Sequence, residues 1–202
     1  MNLNKLFNNP FFDFMGNLAD MVMLNLVFVL TSIPIVTIGA SQTALYKIML
    51  RKARKRTSFP IKEYFQEFKN ELKQSTKLWL VFLITLVVLV MDVMIVGSKA
   101  NPIGIVIYIF LFIWLILFSY VFPLQAQFEN TAKNTVKNAM IMSMKYLPFT
   151  LLIVFLNALP IFSLLIGGKI FALMLPIWTF VGLALIARVN TAMFVSIFNR
   201  FM

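Results

Sequence analysis

The sequence predicts an all-α fold, a polytopic bundle of about five transmembrane helices that forms one integral membrane domain over residues 1–202. Three observations predict it. Hydrophobic residues make up 61% of the chain, charged residues only 12%, and five apolar runs are each about twenty residues long. A soluble domain is usually about 45–50% apolar, and a helix needs about 20 apolar residues to cross a bilayer. Lipid is therefore the expected solvent for most of the chain.

The predicted spans follow these runs in chain order. Their expected bounds are about 18–38, 78–97, 103–124, 147–166 and 170–189. The last two spans are joined by Gly167-Gly168-Lys169, a sequence typical of a tight turn. A long basic connection, about 41–77, follows the first span, and a shorter polar connection, about 125–146, follows the third.

Lysine and arginine are distributed unevenly over the predicted connections. With five spans, fifteen of the eighteen basic residues fall on one side, and only Lys5, Lys99 and Lys169 fall on the other. Basic loops of membrane proteins face the cytoplasm. We therefore expect the N-terminus outside, the C-terminus in the cytoplasm and the chain as a multi-pass protein of the plasma membrane.

The composition also limits the kinds of catalytic, metal and cofactor site that the chain can form. The chain has no cysteine and no histidine, which removes disulfides and the usual nitrogen and sulfur ligands of transition metals. We find no glycine-rich phosphate loop and no cluster of intramembrane acids. We therefore expect no catalytic site, no metal and no cofactor. The net charge of +11 is expected to favour anionic lipid headgroups rather than nucleic acid.

The basic connection contains two predicted features. The first is a juxtamembrane cluster, here called the basic cluster, of Arg51, Lys52, Arg54, Lys55 and Arg56. The second is a helix that starts near Pro60 and whose apolar face includes Phe65 and Phe68. We expect both features to lie on the cytoplasmic membrane surface and to contact anionic lipid. The alternative is that they bind a partner subunit.

Four polar residues fall within the predicted spans, where each is costly in hydrocarbon. Asp20 and Asp92 are both expected in the outer half, where they are candidates to line one outward cavity. Asp92 needs a partner such as Lys99 or Lys169, or must be protonated. Asn25 and Asn157 lie deeper, and we expect them to hydrogen-bond to neighbouring helices.

The segment from Ser32 to Tyr46 resembles the signature of the YesL family, bacterial membrane proteins with a domain of unknown function. The pattern is a proline, then Thr-x-Gly, then Ala-Leu-Tyr, and this chain matches it at Pro34, Thr37, Gly39, Ala44, Leu45 and Tyr46. The resemblance extends to the chain length, the basic first loop and the number of spans. It implies a bacterial plasma membrane protein, and it implies association with carbohydrate uptake systems of the ABC importer type.

The sequence therefore leads to two hypotheses for the function. The first is a non-enzymatic accessory or regulatory partner of a carbohydrate uptake system, which uses the basic cluster and the following helix as its contact surface. The alternative is a small-solute transporter or permease subunit that acts as an oligomer. An ABC importer permease usually has a cytoplasmic loop with a glycine after its acidic motif, and residues 63–77 contain no glycine.

Overall fold

A computed structural model describes residues 10–56, 60–96 and 102–200, with side chains from residue 14 onward. These residues form helices and no strands. We label the α-helices in chain order: α1 (Pro10–Ser32), α2 (Ile38–Ala53), α3 (Pro60–Val96), α4 (Pro102–Gln127), α5 (Ala132–Lys145), α6 (Leu147–Ile166), α7 (Gly168–Ile177) and α8 (Leu183–Phe198). A 3₁₀ turn (Ile35–Thr37) precedes α2, and a π-helical segment (Trp178–Gly182) joins α7 to α8.

Within the described residues, five helical stretches are long and apolar enough to cross a membrane, which confirms the predicted fold class. Their bounds are Phe14–Ser32, Pro60–Val96, Pro102–Gln127, Leu147–Ile166 and Gly168–Phe198. Only 11% of the most apolar stretch in Pro60–Val96 is buried by the rest of the protein. Such a surface needs lipid or another apolar partner. The chain is a polytopic helical membrane protein.

The first span ends earlier than predicted, at Ser32 instead of Ile38. Pro34 has no backbone N–H and lacks the donor for the next helical hydrogen bond. The hydroxyl of Thr37 closes the resulting turn by donating to the carbonyl oxygen of Thr31 at 2.6 Å. The following residues form α2, which is buried over much of its length. Part of the connection expected at 41–77 is therefore a packed helix.

The helix expected on the membrane surface is the first half of α3, and it continues into the second span without interruption. Its 37 residues make α3 about 55 Å long at 1.5 Å per residue. The start near Pro60 is confirmed, but the separate surface-lying helix is wrong. The reason is ion pairing: the first half of α3 packs against α2 through its acidic residues, so its direction follows α2 rather than the bilayer surface.

Aromatic rings pack the second half of α3 against α4. The rings of Trp114 and Phe118 stack at 5.0 Å between centroids, and both contact Phe82. The indole of Trp114 donates to the carbonyl oxygen of Phe82 at 3.0 Å. The polar connection after α4 contains α5, a helix capped by Thr131 that the sequence analysis did not predict.

The last two spans form a hairpin. Gly167 and Gly168 both have positive φ, 65° and 56°, which confirms the tight turn there. The return helix is interrupted after Pro176 by the π-helical segment. Pro160 lies inside α6 without ending it. Near the other end of the hairpin, the Arg200 guanidinium lies 5.7 Å from the centre of the Tyr146 ring.

The bundle therefore has two distinct ends. At one end, the last residues of α4 meet the last residues of α8, where Phe128 and Phe198 are in edge contact at 5.3 Å between centroids. We call this the cleft end because it holds the polar cleft described below. The turn at Gly167 and Gly168 lies at the opposite end, about 30 Å away along the 20 residues of α6. We call it the turn end.

Candidate functional site

The candidate functional site is built on a ladder of ion pairs between α2 and α3. Lys47 lies 2.9 Å from Glu67 and 2.7 Å from Glu71. Arg51 lies 3.2 Å from Glu63 and 2.5 Å from Glu67. The acids are four residues apart along α3 and the bases four apart along α2, so each set occupies one helical face. The two helices run antiparallel along this ladder.

Glu71 is the most deeply placed acid of the ladder, with an 11% exposed side chain. Its second oxygen accepts a hydrogen bond from the hydroxyl of Ser75 at 2.7 Å, and Ser75 accepts one from Thr43 at 3.0 Å. These contacts satisfy a carboxylate that would otherwise be costly to bury. The ladder therefore ends in a buried polar network and not in solvent.

Gln125 brings α4 and α5 to the same network. Its side-chain oxygen accepts hydrogen bonds from Thr135 at 3.1 Å and from Gln74 at 3.3 Å. Gln74 also donates to the backbone carbonyl of Asn130 at 2.6 Å. These bonds hold the α4–α5 connection against α3, so the polar walls of the site have fixed positions.

These walls enclose an open cleft of about 1020 Å³. Its lining combines basic, acidic and amide side chains: Lys47, Arg51, Arg54, Arg56, Glu67, Glu71, Glu129, Asn70, Gln74, Gln125 and Gln127. We call this the polar cleft. Lys47 and Arg51 are neutralised by the ladder, whereas Arg54 and Arg56 have no acidic partner among the described residues. The rim therefore has cationic groups available to a ligand or partner.

Electrostatics keep the basic members of the ladder charged. Burial acts to lower the pKa of Lys47, but hydrogen bonds from its ammonium group to Glu71 and Glu67 outweigh burial and raise the pKa. Arg51 follows the same pattern, with Glu67 and Glu63 as its partners, and its pKa is also raised. Both cations persist at neutral pH, so the ladder is a permanent structural contact and not a proton switch in that range.

The signature residues place α2 against the rest of the molecule. Gly39 permits a close approach, since a Cβ there would lie 2.5 Å from the carbonyl oxygen of Ser75 and from the Cβ of Trp79. Ala44, Leu45 and Tyr46 are at most 3% exposed. These three side chains pack in the core and hold α2 in place, so that Lys47 and Arg51 can contact α3.

The basic cluster is divided between two cavities. Arg51, Arg54 and Arg56 line the polar cleft, whereas Lys52 and Lys55 line a second cavity between α1, α2 and α8. In the following helix, Phe65 is 44% exposed. Phe68 is partly buried and stacks on Tyr64.

Asp20 and Asp92 do not share a cavity, which corrects the prediction made for them. Asp20 forms an ion pair with Lys52, at the same level as the basic cluster and not on the opposite side from it. Asp92 is half-buried in α3, about 43 Å along the helix from Glu63, the partner of Arg51. Of its two expected partners, Lys99 lies outside the described residues and Lys169 is exposed at the turn end.

The interhelical roles expected of Asn25 and Asn157 are confirmed. The Asn25 amide donates to the carbonyl oxygens of Trp178 at 2.9 Å and Thr179 at 2.6 Å, and its oxygen accepts from the backbone N–H of Ala184 at 2.7 Å. Asn25 thus joins α1 to the π-helical segment. The side-chain oxygen of Asn157 accepts from the amide of Asn190 at 2.8 Å, which joins α6 to α8.

The sequence analysis missed the acidic and amide residues of the polar cleft. The candidate residues predicted from the sequence do not include Glu63, Glu67, Glu71, Gln74 or Gln125. One signal was present: Glu63, Glu67 and Glu71 are spaced by four residues, opposite a basic helix in which Lys47 and Arg51 are also spaced by four.

Comparison with family models gives one match. Residues 21–93 match the model described as "Protein of unknown function, DUF624". The matched segment covers the second half of α1, all of α2 and nearly all of α3, and therefore includes the signature residues and the complete ion-pair ladder. Comparison with curated proteins and with solved structures finds no match. The chain is thus a membrane protein with a region similar to a family of unknown function.

Proposed function

We propose that this protein is a non-enzymatic accessory or regulatory subunit of a membrane transport system, and that the polar cleft is where it binds its partner. The observation that carries the proposal is the cleft itself, a space of about 1020 Å³ with fixed polar walls. At its rim are two arginines that have no acidic partner among the described residues. A partner segment with acidic and amide side chains would complement this surface.

Two further features support a binding role. The acids and bases of the ladder are already paired with each other, and Gln74 and Gln125 already hydrogen-bond within the site. Recognition would therefore rest on the rim arginines and Asn70. Phe65 adds an exposed aromatic ring on the same half of α3, and aromatic and arginine side chains are enriched at protein interfaces.

The class of partner comes from the YesL-type resemblance of Pro34, Thr37, Gly39, Ala44, Leu45 and Tyr46. On that basis we propose that the protein works in a bacterial plasma membrane and that its partner is the permease of a carbohydrate uptake system of the ABC importer type. The cleft end would face the cytoplasm, because the basic residues lie mainly there.

The test is site-specific photo-crosslinking in native membranes. A photoreactive amino acid at Asn70, inside the cleft, should give an adduct with a solute-importer permease, and the same probe at Leu164, near the turn end, should not. Arg54→Gln combined with Arg56→Gln should reduce the adduct by at least fivefold, whereas Lys137→Gln on α5 should leave it unchanged. An adduct only with a second copy of this chain would reject the accessory role.

A second candidate, a small-solute transporter acting as an oligomer, is favoured by one observation. The regular α-helix of the last span gives way, just after Pro176, to the π-helical segment Trp178–Gly182, and interrupted spans often mark transport sites. Solute-dependent uptake by proteoliposomes that contain this protein alone would favour this candidate, and uptake that requires an added permease would favour the accessory role.

A further inference from the structure

We propose that the cavity between α1, α2 and α8 binds the phosphate group of an anionic phospholipid. This cavity is separate from the polar cleft and measures about 580 Å³. Its polar lining comes from three helices and the turn after α2: Asn17, Asp20, Lys52, Lys55, Arg188 and Thr191. The proposal does not depend on the accessory function, because it uses none of the residues of the ladder.

The charges of the cavity favour the binding of an anion. It contains three cationic side chains, those of Lys52, Lys55 and Arg188, and one carboxylate, that of Asp20. Asp20 is already paired with Lys52. Lys55 and Arg188 have no acidic partner in the part of the chain that the structure describes. A phosphate group would neutralise both of them.

The surroundings of Arg188 indicate that the anion is a lipid. Arg188 is exposed in the interior of α8, between Leu185 and Val189, which are 47% and 43% exposed. On the facing helix α1, Leu18 is 39% exposed. A charge among lipid-facing apolar residues is tolerated at headgroup level. A phospholipid places its phosphate beside acyl chains, so it would cover the cationic and the apolar parts of this surface together.

The backbone at Lys55 adds an independent observation. Lys55 has a φ of 54°, the only positive value among the described non-glycine residues. It follows the end of α2, where glycine or asparagine is the usual choice for this conformation. Here the position is occupied by a lysine whose side chain lines the cavity. The conformation is less favourable for lysine, which is consistent with a role for its charge.

The test is native mass spectrometry of the full-length protein in detergent, titrated separately with phosphatidylglycerol, phosphatidylcholine and inorganic phosphate. The wild-type protein should retain one phosphatidylglycerol in preference to phosphatidylcholine. Arg188→Gln and Lys55→Asn should each weaken that binding about fivefold, since a basic residue near a lipid surface contributes about that factor. Asparagine is chosen at position 55 because it tolerates the left-handed conformation.

The control is Lys137→Gln, which removes the same charge from an exposed position on α5 and should leave lipid binding unchanged. Unchanged phosphatidylcholine adducts across the variants would show that the fold is intact. Equal retention of the two lipids, or an equal loss in Lys137→Gln and Arg188→Gln, would overturn the proposal. Displacement of phosphatidylglycerol by millimolar inorganic phosphate would also overturn it, and would assign the cavity to a free anion.

Discussion

Gly39 is a position at which a single added methyl group is expected to matter. The backbone of α2 there lies directly against α3, and a Cβ would be 2.5 Å from both the Ser75 carbonyl oxygen and the Trp79 Cβ. Because neither is the flexible end of a side chain, Gly39→Ala must push the helices apart. We expect a loss of about 1–3 kcal/mol in the free energy of unfolding, measured by denaturant titration in one detergent.

Gly16 supplies the matched control, because it is also helical and a Cβ there would meet nothing within 4 Å. Gly16→Ala is therefore expected to be neutral, or to stabilise by up to about 1 kcal/mol through helix propensity. Equal losses in the two variants would mean that close approach at Gly39 does not stabilise the contact between α2 and α3.

For a single polar residue within a span, the sequence predicts that its side chain hydrogen-bonds to a neighbouring helix. It does not predict which group on that helix is the partner. Asn25 and Asn157 were expected to bond to neighbouring helices because an unpaired amide is costly in hydrocarbon, and both do so. The partners of Asn25 could not be predicted. They are backbone groups near the π-helical segment, whose hydrogen-bonding pattern exists only once α7 and α8 are folded.

At the element scale, the contact between α2 and α3 is predicted to depend on paired charges. In a double-mutant cycle, Lys47→Met and Glu71→Gln remove the two sides of one 2.7 Å contact. We expect a coupling of about 1–3 kcal/mol in unfolding free energy, since neighbours in one ion-pair network are not independent. Each single variant should be destabilising because it leaves a largely buried charge without that partner.

Lys62→Met serves as the reference for this cycle. Lys62 is exposed on the same half of α3, and its coupling to Glu71→Gln should be below about 0.5 kcal/mol. A comparable coupling for Lys62 and Lys47 would show a general charge effect on the helix and would contradict a specific ladder.

The contact between α2 and α3 also explains why the sequence predicts the first half of α3 as a helix but does not predict α2. The apolar spacing of Tyr64, Phe65 and Phe68 predicts a helix, and the structure contains it. However, five basic residues within 51–56 favour a solvated or lipid-bound segment, so the sequence predicts a connection where the structure has α2. Its burial depends on acids more than ten residues away in the chain, and local periodicity does not report such pairings.

At the scale of the whole molecule, hydrophobicity predicts the spans well because each must be apolar over about 30 Å regardless of its neighbours. It does not predict how far a helix continues beyond the membrane, and α3 continues through residues 60–77 as well. Nor does it predict the polar cleft, whose walls come from α2 and the turn after it, from α3, and from the end of α4 with the α4–α5 connection. Such a cleft is a property of the assembled bundle.

The distribution of charge between the two ends leads to a prediction about orientation. The chain has no cysteine, so single cysteines can be introduced without a background signal. Lys169→Cys places a thiol at the turn end, and Arg56→Cys places one at the cleft end. If basic segments remain in the cytoplasm, a membrane-impermeant maleimide added to intact cells should label position 169 and should label position 56 only after permeabilisation.

The paired design separates an inverted bundle from an incorrect fold. Labelling of position 56 alone in intact cells would mean that the five spans are inserted in the opposite direction, with the polar cleft outside. Labelling of both positions in intact cells would contradict the separation of the two ends by the hairpin of α6 to α8. The cleft can receive a cytoplasmic partner only if intact cells show labelling at position 169 and protection at position 56.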